Sequence, residues 1–176
     1  MPKEIERRFL VKKLPFLDQM RPINITQGYM MNEPDVVVRV RTTDTSGFVT
    51  IKGPKQNGSG DEEEFPVSLK YASTMISHCP HIIKKQRYEI DRWELDVFSE
   101  KLQGLLIVEI ELNSIDEPIT IPDWVGDEIT EDKRYSNNKL ATDGIPTSKK
   151  PGLIEKYVCK IKQLLTKIMS FVKPTN

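Results

Sequence analysis

Apolar residues alternate with polar ones through most of the first 113 positions. Residues 5–11, 25–31, 36–42, 48–52 and 62–67 are short, alternating and rich in β-branched side chains, which predicts strands. Pro15, Pro22, the Glu33-Pro34-Asp35 turn, Thr45-Ser46-Gly47 and Gly53-Pro54 separate them. Residues 69–77 read as a short helix. Three more strands follow at 82–91, 92–98 and 105–113, the first two joined by a hairpin at Asp91-Arg92. About eight strands at this spacing predict an antiparallel barrel or sandwich. Residues 118–122 open a less regular stretch containing Trp124 and Gly126. Residues 130–141 read as a short helix with its lead-in, and Asp143-Gly144-Ile145-Pro146 as a boundary. Beyond it the period changes. Ile154, Tyr157, Ile161, Leu164, Ile168 and Phe171 are spaced 3, 4, 3, 4, 3 with lysines between them, an amphipathic helix.

Alternation alone predicts strands with one wet and one dry face. The identity of the polar residues changes that picture. The charges sort by sign along single strand faces: Glu4, Glu6 and Arg8; Arg39 and Arg41; Lys52; Glu62 and Glu64; Lys85 and Arg87; Glu94 and Asp96; Glu109 and Glu111. Alternate residues of a strand lie about 7 Å apart on one face, so like charges there repel. A solvated face mixes signs. Repeated sorting by sign suits ligands of opposite charge. Converging carboxylates make an oxygen site for Mg²⁺ or Mn²⁺, and converging arginines and lysines hold a polyanion such as phosphate. Together they point to metal-assisted phosphoryl transfer or phosphate hydrolysis, with a metal-activated water as nucleophile.

Length and charge bound the rest. The 176 residues suit one domain with a short extension. Twenty-six Lys plus Arg balance twenty-six Asp plus Glu, which excludes a globally basic nucleic-acid binder. The balance is a sum of opposites. Residues 149–176 hold seven lysines against Glu155, a net of +6, which leaves −6 for residues 1–148. Cys79 and Cys159 are too few for a disulfide framework, the first residues lack a signal-peptide pattern, and no apolar run approaches a membrane span. These features read as a soluble cytoplasmic protein with reduced thiols. His78 and His81 read as loop residues, Trp93 and Trp124 as packing residues on the exterior, and Gly-containing 56–60 as a hairpin loop without a P-loop pattern. The tail helix has three readings: docking on the barrel or on a second subunit in a homodimer, contact with an anionic membrane surface, or binding another partner.

The charged motifs, taken in order, resemble one family. Glu4-Ile5-Glu6-Arg7-Arg8 is similar to the Glu-x-Glu-x-Lys signature of CYTH proteins, the triphosphate tunnel metalloenzymes. Gln27-Gly28-Tyr29, Val38-Arg39-Val40-Arg41, Thr50-Ile51-Lys52, Glu62-Glu63-Glu64-Phe65, Lys85-Gln86-Arg87-Tyr88, Trp93-Glu94-Leu95-Asp96, Val108-Glu109-Ile110-Glu111, residues 124–130 and Asp132-Lys133-Arg134-Tyr135 continue the match. It covers residue 3 to about residue 141. The resemblance implies a mainly β fold, a closed eight-stranded antiparallel barrel, spanning residues 1–146, with 147–176 as a basic helical extension. It also implies a triphosphate bound with two Mg²⁺ or Mn²⁺ ions per site. By position, Glu4, Glu6, Glu109 and Glu111 correspond to metal ligands, with Glu62, Glu64 and Asp96 as further candidates. Arg39, Arg41, Lys52, Lys85 and Arg87 correspond to the phosphate cradle, with Lys133 and Arg134 closing one end. Arg8, Tyr29 and Lys85 are the catalytic candidates. The small size resembles inorganic triphosphatases; an adenylate cyclase, a thiamine triphosphatase and a polyphosphate- or nucleotide-binding module of little turnover are the alternatives. Arg8 departs from the signature lysine, and Pro66 predicts a strand end or an edge strand.

Overall fold

The computed structural model describes residues 5–33, 35–53 and 62–147. Glu4, Cys159 and the tail helix lie outside the described residues. Nine strands form one antiparallel sheet: β1 (Ile5–Val11), β2 (Ile23–Asn32), β3 (Val37–Thr42), β4 (Gly47–Lys52), β5 (Glu62–Val67), β6 (His81–Ile90), β7 (Trp93–Phe98), β8 (Leu106–Leu112) and β9 (Val125–Glu128). Their order in the sheet is β5-β4-β3-β2-β6-β7-β8-β1-β9. Two α-helices, α1 (Leu69–Ser77) and α2 (Asn137–Asp143), and two 3-10 turns complete the described fold.

The mainly β, antiparallel fold expected from the resemblance is present, but closure into an eight-stranded barrel is not seen among the described residues. Among the described residues the sheet has nine strands and β5 and β9 are its two ends, with no hydrogen bonds between them. The ninth strand takes the outer edge of β1, where Phe9 faces Glu128 and Val11 faces Val125. Its four residues include Gly126, where an added Cβ would sit 2.9 Å from the Leu10 carbonyl oxygen. A strand that short, with a glycine inside, carries no alternation to read. Pro66 lies in β5, an end strand, as its missing N–H requires. Asp91, at φ 53, turns the two-residue hairpin between β6 and β7.

Each face of the sheet has its own cover. Phe9, Trp93, Leu95, Val108 and Ile110 share the face opposite the charges and pack with Leu17, Tyr88 and Val125. Leu95 and Val108 are fully buried, and each such side chain contributes roughly 1.5–3 kcal/mol. Trp93 meets Phe9 and Trp124 edge to face at 5.7 and 6.1 Å, so both tryptophans pack rather than bind ligand. On the same face α1 lies over β2, β3 and β4, with Ala72 and Ile76 against Val40. The Ser68 hydroxyl accepts the Tyr71 N–H and caps the helix. Close approach depends on Gly47, where a Cβ would stand 2.6 Å from that of Ala72, and on Gly28, 2.6 Å from the sulfur of the buried free Cys79. No helix among the described residues is long and apolar enough to cross a membrane.

Candidate active site

Antiparallel register carries side-chain parity from strand to strand. Tyr29 pairs with Arg39, Arg39 with Thr50, and Thr50 with Glu64. Gln27 pairs with Arg41, and Lys52 with Glu62. On the other side of β2, Ile25 pairs with Lys85 and Ile23 with Arg87. Arg87 pairs in turn with Asp96, Glu94 with Glu109, Glu109 with Arg8, and Glu111 with Glu6. Directly paired residues share a face, so the described strand candidates lie on one face of the sheet. One end of that face is apolar. Leu10, Tyr29, Ile83, Phe98 and Ile107 pack there under Ile129, Tyr135, Leu140 and Ala141 of the final turns and α2.

Asp96 is the most deeply buried charge, 1% exposed, beside Lys85 at 4%. Its Oδ2 accepts from Lys85 Nζ at 2.5 Å and from Arg87 Nη2 at 2.7 Å, and its Oδ1 accepts from Arg87 Nε at 2.7 Å. Arg87 also donates to Glu94 and, at 3.1 Å, to Glu109. Burial alone would raise the Asp96 pKa, but Lys85 and Arg87 outweigh it and hold the carboxyl below its ordinary value. Burial works against the Arg87 cation too, yet Asp96, Glu94 and Glu109 raise its pKa further. Glu94 and Glu109 go the other way. Burial raises both, nearby carboxylates add to the rise, and the bases offset only part of it.

A second group sits on β3, β4 and β5. Glu64 accepts from Arg41 at 2.9 Å, from Arg39 at 3.3 Å and from the Thr50 hydroxyl at 2.8 Å. Burial opposes ionisation of Glu64, but Thr50, Arg41 and Arg39 together lower its pKa. Glu62 accepts from Lys52 Nζ at 2.5 Å. Three guanidinium nitrogens remain: the Nε atoms of Arg8, Arg39 and Arg41 are buried without a hydrogen-bond partner among the described residues. Glu6 stands 3.6 Å from Arg8 Nε, beyond hydrogen-bond length. The Arg8 backbone N–H donates to the Thr130 hydroxyl at 3.0 Å, and its Nη2 to the Thr130 carbonyl at 3.4 Å.

The candidate acids therefore divide. Asp96, Glu62 and Glu64 are committed to bases. Glu6 and Glu111 face each other across β1 and β8 without a hydrogen bond to their carboxylates among the described residues, and Glu109 receives only Arg87. Among the described residues no three His, Cys, Asp or Glu side chains stand close enough together to hold an ion. The donor chemistry still suits a hard cation. Glu6, Glu109, Glu111 and Glu94 occupy neighbouring positions on three adjacent strands, and Asp96 and Glu6 are among the causes that raise the Glu109 pKa.

Other candidates fall elsewhere. Tyr29 is 3% exposed, and its hydroxyl accepts from the Gln27 amide at 2.9 Å. Burial raises its pKa well above the ordinary phenol value, so it stays protonated at neutral pH. Arg134 is exposed and tied to Asp132 at 2.6 Å, and Lys133 is exposed. Among the described residues neither pairs with a strand of the charged face. Glu94, Thr50 and Gln27 join the site although sequence reasoning did not select them. For Glu94 the signal was present in its parity with Asp96; for Thr50 and Gln27 it lay in parity with Lys52 and Tyr29.

No protein-family model matches the chain. An inorganic triphosphatase of Acetivibrio thermocellus is 34% identical over 146 residues, which cover 80% of this chain and 94% of that protein. An inorganic triphosphatase of Nitrosomonas europaea is 32% identical over 149 residues, covering 78% of this chain and 96% of that one. Among solved structures, that of the inorganic triphosphatase NE1496 superposes with a TM-score of 0.63 at 33% identity, over 81% of this chain and 99% of the other.

Proposed function

The chain belongs to the family of CYTH-type inorganic triphosphatases, and from its charged face we propose that it hydrolyses inorganic tripolyphosphate with the help of a divalent metal ion. The observation that carries the reading is the set of three buried guanidinium Nε donors on Arg8, Arg39 and Arg41 without partners among the described residues. Buried N–H groups without partners are rare, and guanidinium groups match phosphate oxygens. Phosphate oxygens presented to Arg8 on β1 and to Arg39 and Arg41 on β3 would give all three their acceptors.

The residues then take distinct parts. Arg39 and Arg41 grip phosphate oxygens, while Glu64 and Thr50 hold their outer nitrogens and fix the direction in which the forks point. Lys85 and Arg87 present charge to the phosphoryl group that leaves, and Asp96 holds both in place. Asp96 is thus a positioning residue and not a metal ligand. Lys52 closes the cradle on β4. Arg8, a guanidinium in the place of the signature lysine, stabilises developing charge without moving a proton. Tyr29 keeps its proton and is a donor, not a base.

Glu6, Glu109 and Glu111, with Glu94 beside them and Glu4 preceding them in the chain, are the residues that would hold Mg²⁺ or Mn²⁺. When bound, such an ion supplies Lewis acidity and neutralises phosphate charge. In the reaction, water adds to a terminal phosphorus, the P–O bond to the bridging oxygen breaks, and orthophosphate and pyrophosphate result. The site residues orient the chain for in-line attack and balance its charge.

The test offers purified protein tripolyphosphate, ATP and thiamine triphosphate with Mg²⁺ or Mn²⁺. Phosphate release fastest from tripolyphosphate, and abolished by a chelator, is expected. Formation of cyclic AMP, or tight binding without release, would overturn the reading.

A further inference from the structure

The face opposite the charges is covered unevenly. α1 covers Val40 and reaches Val49, Val67 and Ile82, but it stops short of the strand ends beside it. There Met31 pairs with Val38, Val38 with Ile51, and Phe65 lies one strand further on, opposite Val49. Met31, Ile51 and Phe65 are 45%, 43% and 45% exposed. The strip thus crosses four adjacent strands, about 14 Å at the usual spacing. Glu33 and Asp35 border it in the β2–β3 turn, and Glu63 pairs with Ile51 on the same face. All three are exposed, and among the described residues none has an ion-pair partner.

The chain beyond residue 147 has the complementary pattern. Its apolar stripe of Ile154, Tyr157, Ile161, Leu164, Ile168 and Phe171 is flanked by Lys156, Lys160 and Lys167, which recur at helical spacing. Twenty helical residues measure about 30 Å, enough to cross the strip. α2 precedes the tail and lies at the same end of the sheet on its other face, where the Asn138 amide donates to Asn32, the neighbour of Met31, at 3.2 Å.

We infer that residues 149–176 dock, as an amphipathic helix of the same chain, on the apolar strip Met31–Val38–Ile51–Phe65, with lysines against Glu33, Asp35 and Glu63. The apolar stripe removes the strip from water, and the lysine stems cover its border while their heads meet the acids. The +6 tail thereby rests on the part of the −6 domain with exposed acids to spare.

Zero-length carbodiimide coupling of the full chain, read by mass spectrometry, tests this docking. Amide links are expected from Lys156, Lys160 or Lys167 to Glu33, Asp35 or Glu63. Ile51→Glu and Leu164→Glu should each lower their yield about tenfold, because each puts a charge into an apolar contact, while phosphate release stays unchanged. Ile51 is already half exposed, so its replacement leaves the fold intact. In an equal mixture of ¹⁵N-labelled and unlabelled chains, links must join peptides of one label. Mixed-label links would assign the strip to a second copy. Links to other surfaces, or none, would overturn the docking, as would their loss on adding phosphatidylserine vesicles that sediment the protein.

Discussion

On β6, β7 and β8 a carboxylate that is 1% exposed holds a lysine and an arginine; on β3, β4 and β5 a glutamate whose side chain is 31% exposed holds two arginines. The pairs look alike on paper, but water separates their roles. Around Asp96 the charges have no solvent to fall back on, so losing one partner leaves the others buried and uncompensated. Around Glu64 water replaces a lost partner at small cost. The inner group is therefore part of the framework that holds Lys85 and Arg87, while in the outer group Glu64 and Thr50 hold two arginines ready for phosphate. The unpartnered Nε atoms of Arg39 and Arg41 lie in that outer group.

The comparison would break most readily at Asp96. Asp96→Ala should lower unfolding free energy by about 3–5 kcal/mol, because Lys85 and Arg87 then stay buried without a counter-charge. Denaturant titration measures it, and a loss below about 1 kcal/mol would place the two groups in one class. Next comes Arg41→Ala, for which kcat/KM on tripolyphosphate should fall about 100- to 1000-fold, with stability changed by less than about 1 kcal/mol. The reverse pattern, a stability loss with activity kept, would exchange the roles of the two groups.

Glu109 supplies a pH test. Its pKa is raised by burial first and by Asp96 and Glu6 in addition, so its share of stability is present at acid pH. That share is lost as pH rises through the folded-state pKa. Measured with chelator present, Glu109→Gln should gain stability relative to the parent between pH 4.5 and 7. A constant difference across that range would refute the raised pKa. The smallest effect belongs to Arg8→Lys, which restores the family signature and should hold phosphate release within about threefold or increase it, since charge is kept. A large loss would show that this site is built around the guanidinium and its Thr130 contacts.

The alternation of charges was sufficient to place the described strand candidates on one face, because parity survives every antiparallel pairing. Strand order was beyond it. The Asp91-Arg92 hairpin was legible, but its register was not, and that register sets Asp96 opposite Arg87 and within reach of Lys85, so a candidate metal ligand also accepts from two bases. Arg134 looked like part of the cradle, since a motif does not reveal that Asp132, two residues away, takes its guanidinium. The ninth strand was equally hidden, since four residues around Gly126 on the edge of β1 carry no alternation to read. Pro66, by contrast, was readable in advance, because a residue without an N–H has few places in a sheet.

That proline also bears on how the protein behaves among its own copies. An open sheet offers free backbone at each end, and a free strand is a template on which other chains can stack into fibres. In β5 three consecutive glutamates, Glu62, Glu63 and Glu64, precede Pro66. A second strand laid against it would meet a repelling row of charge and then a missing donor. The β5 end of the described sheet thus disfavours the stacking of further chains upon it.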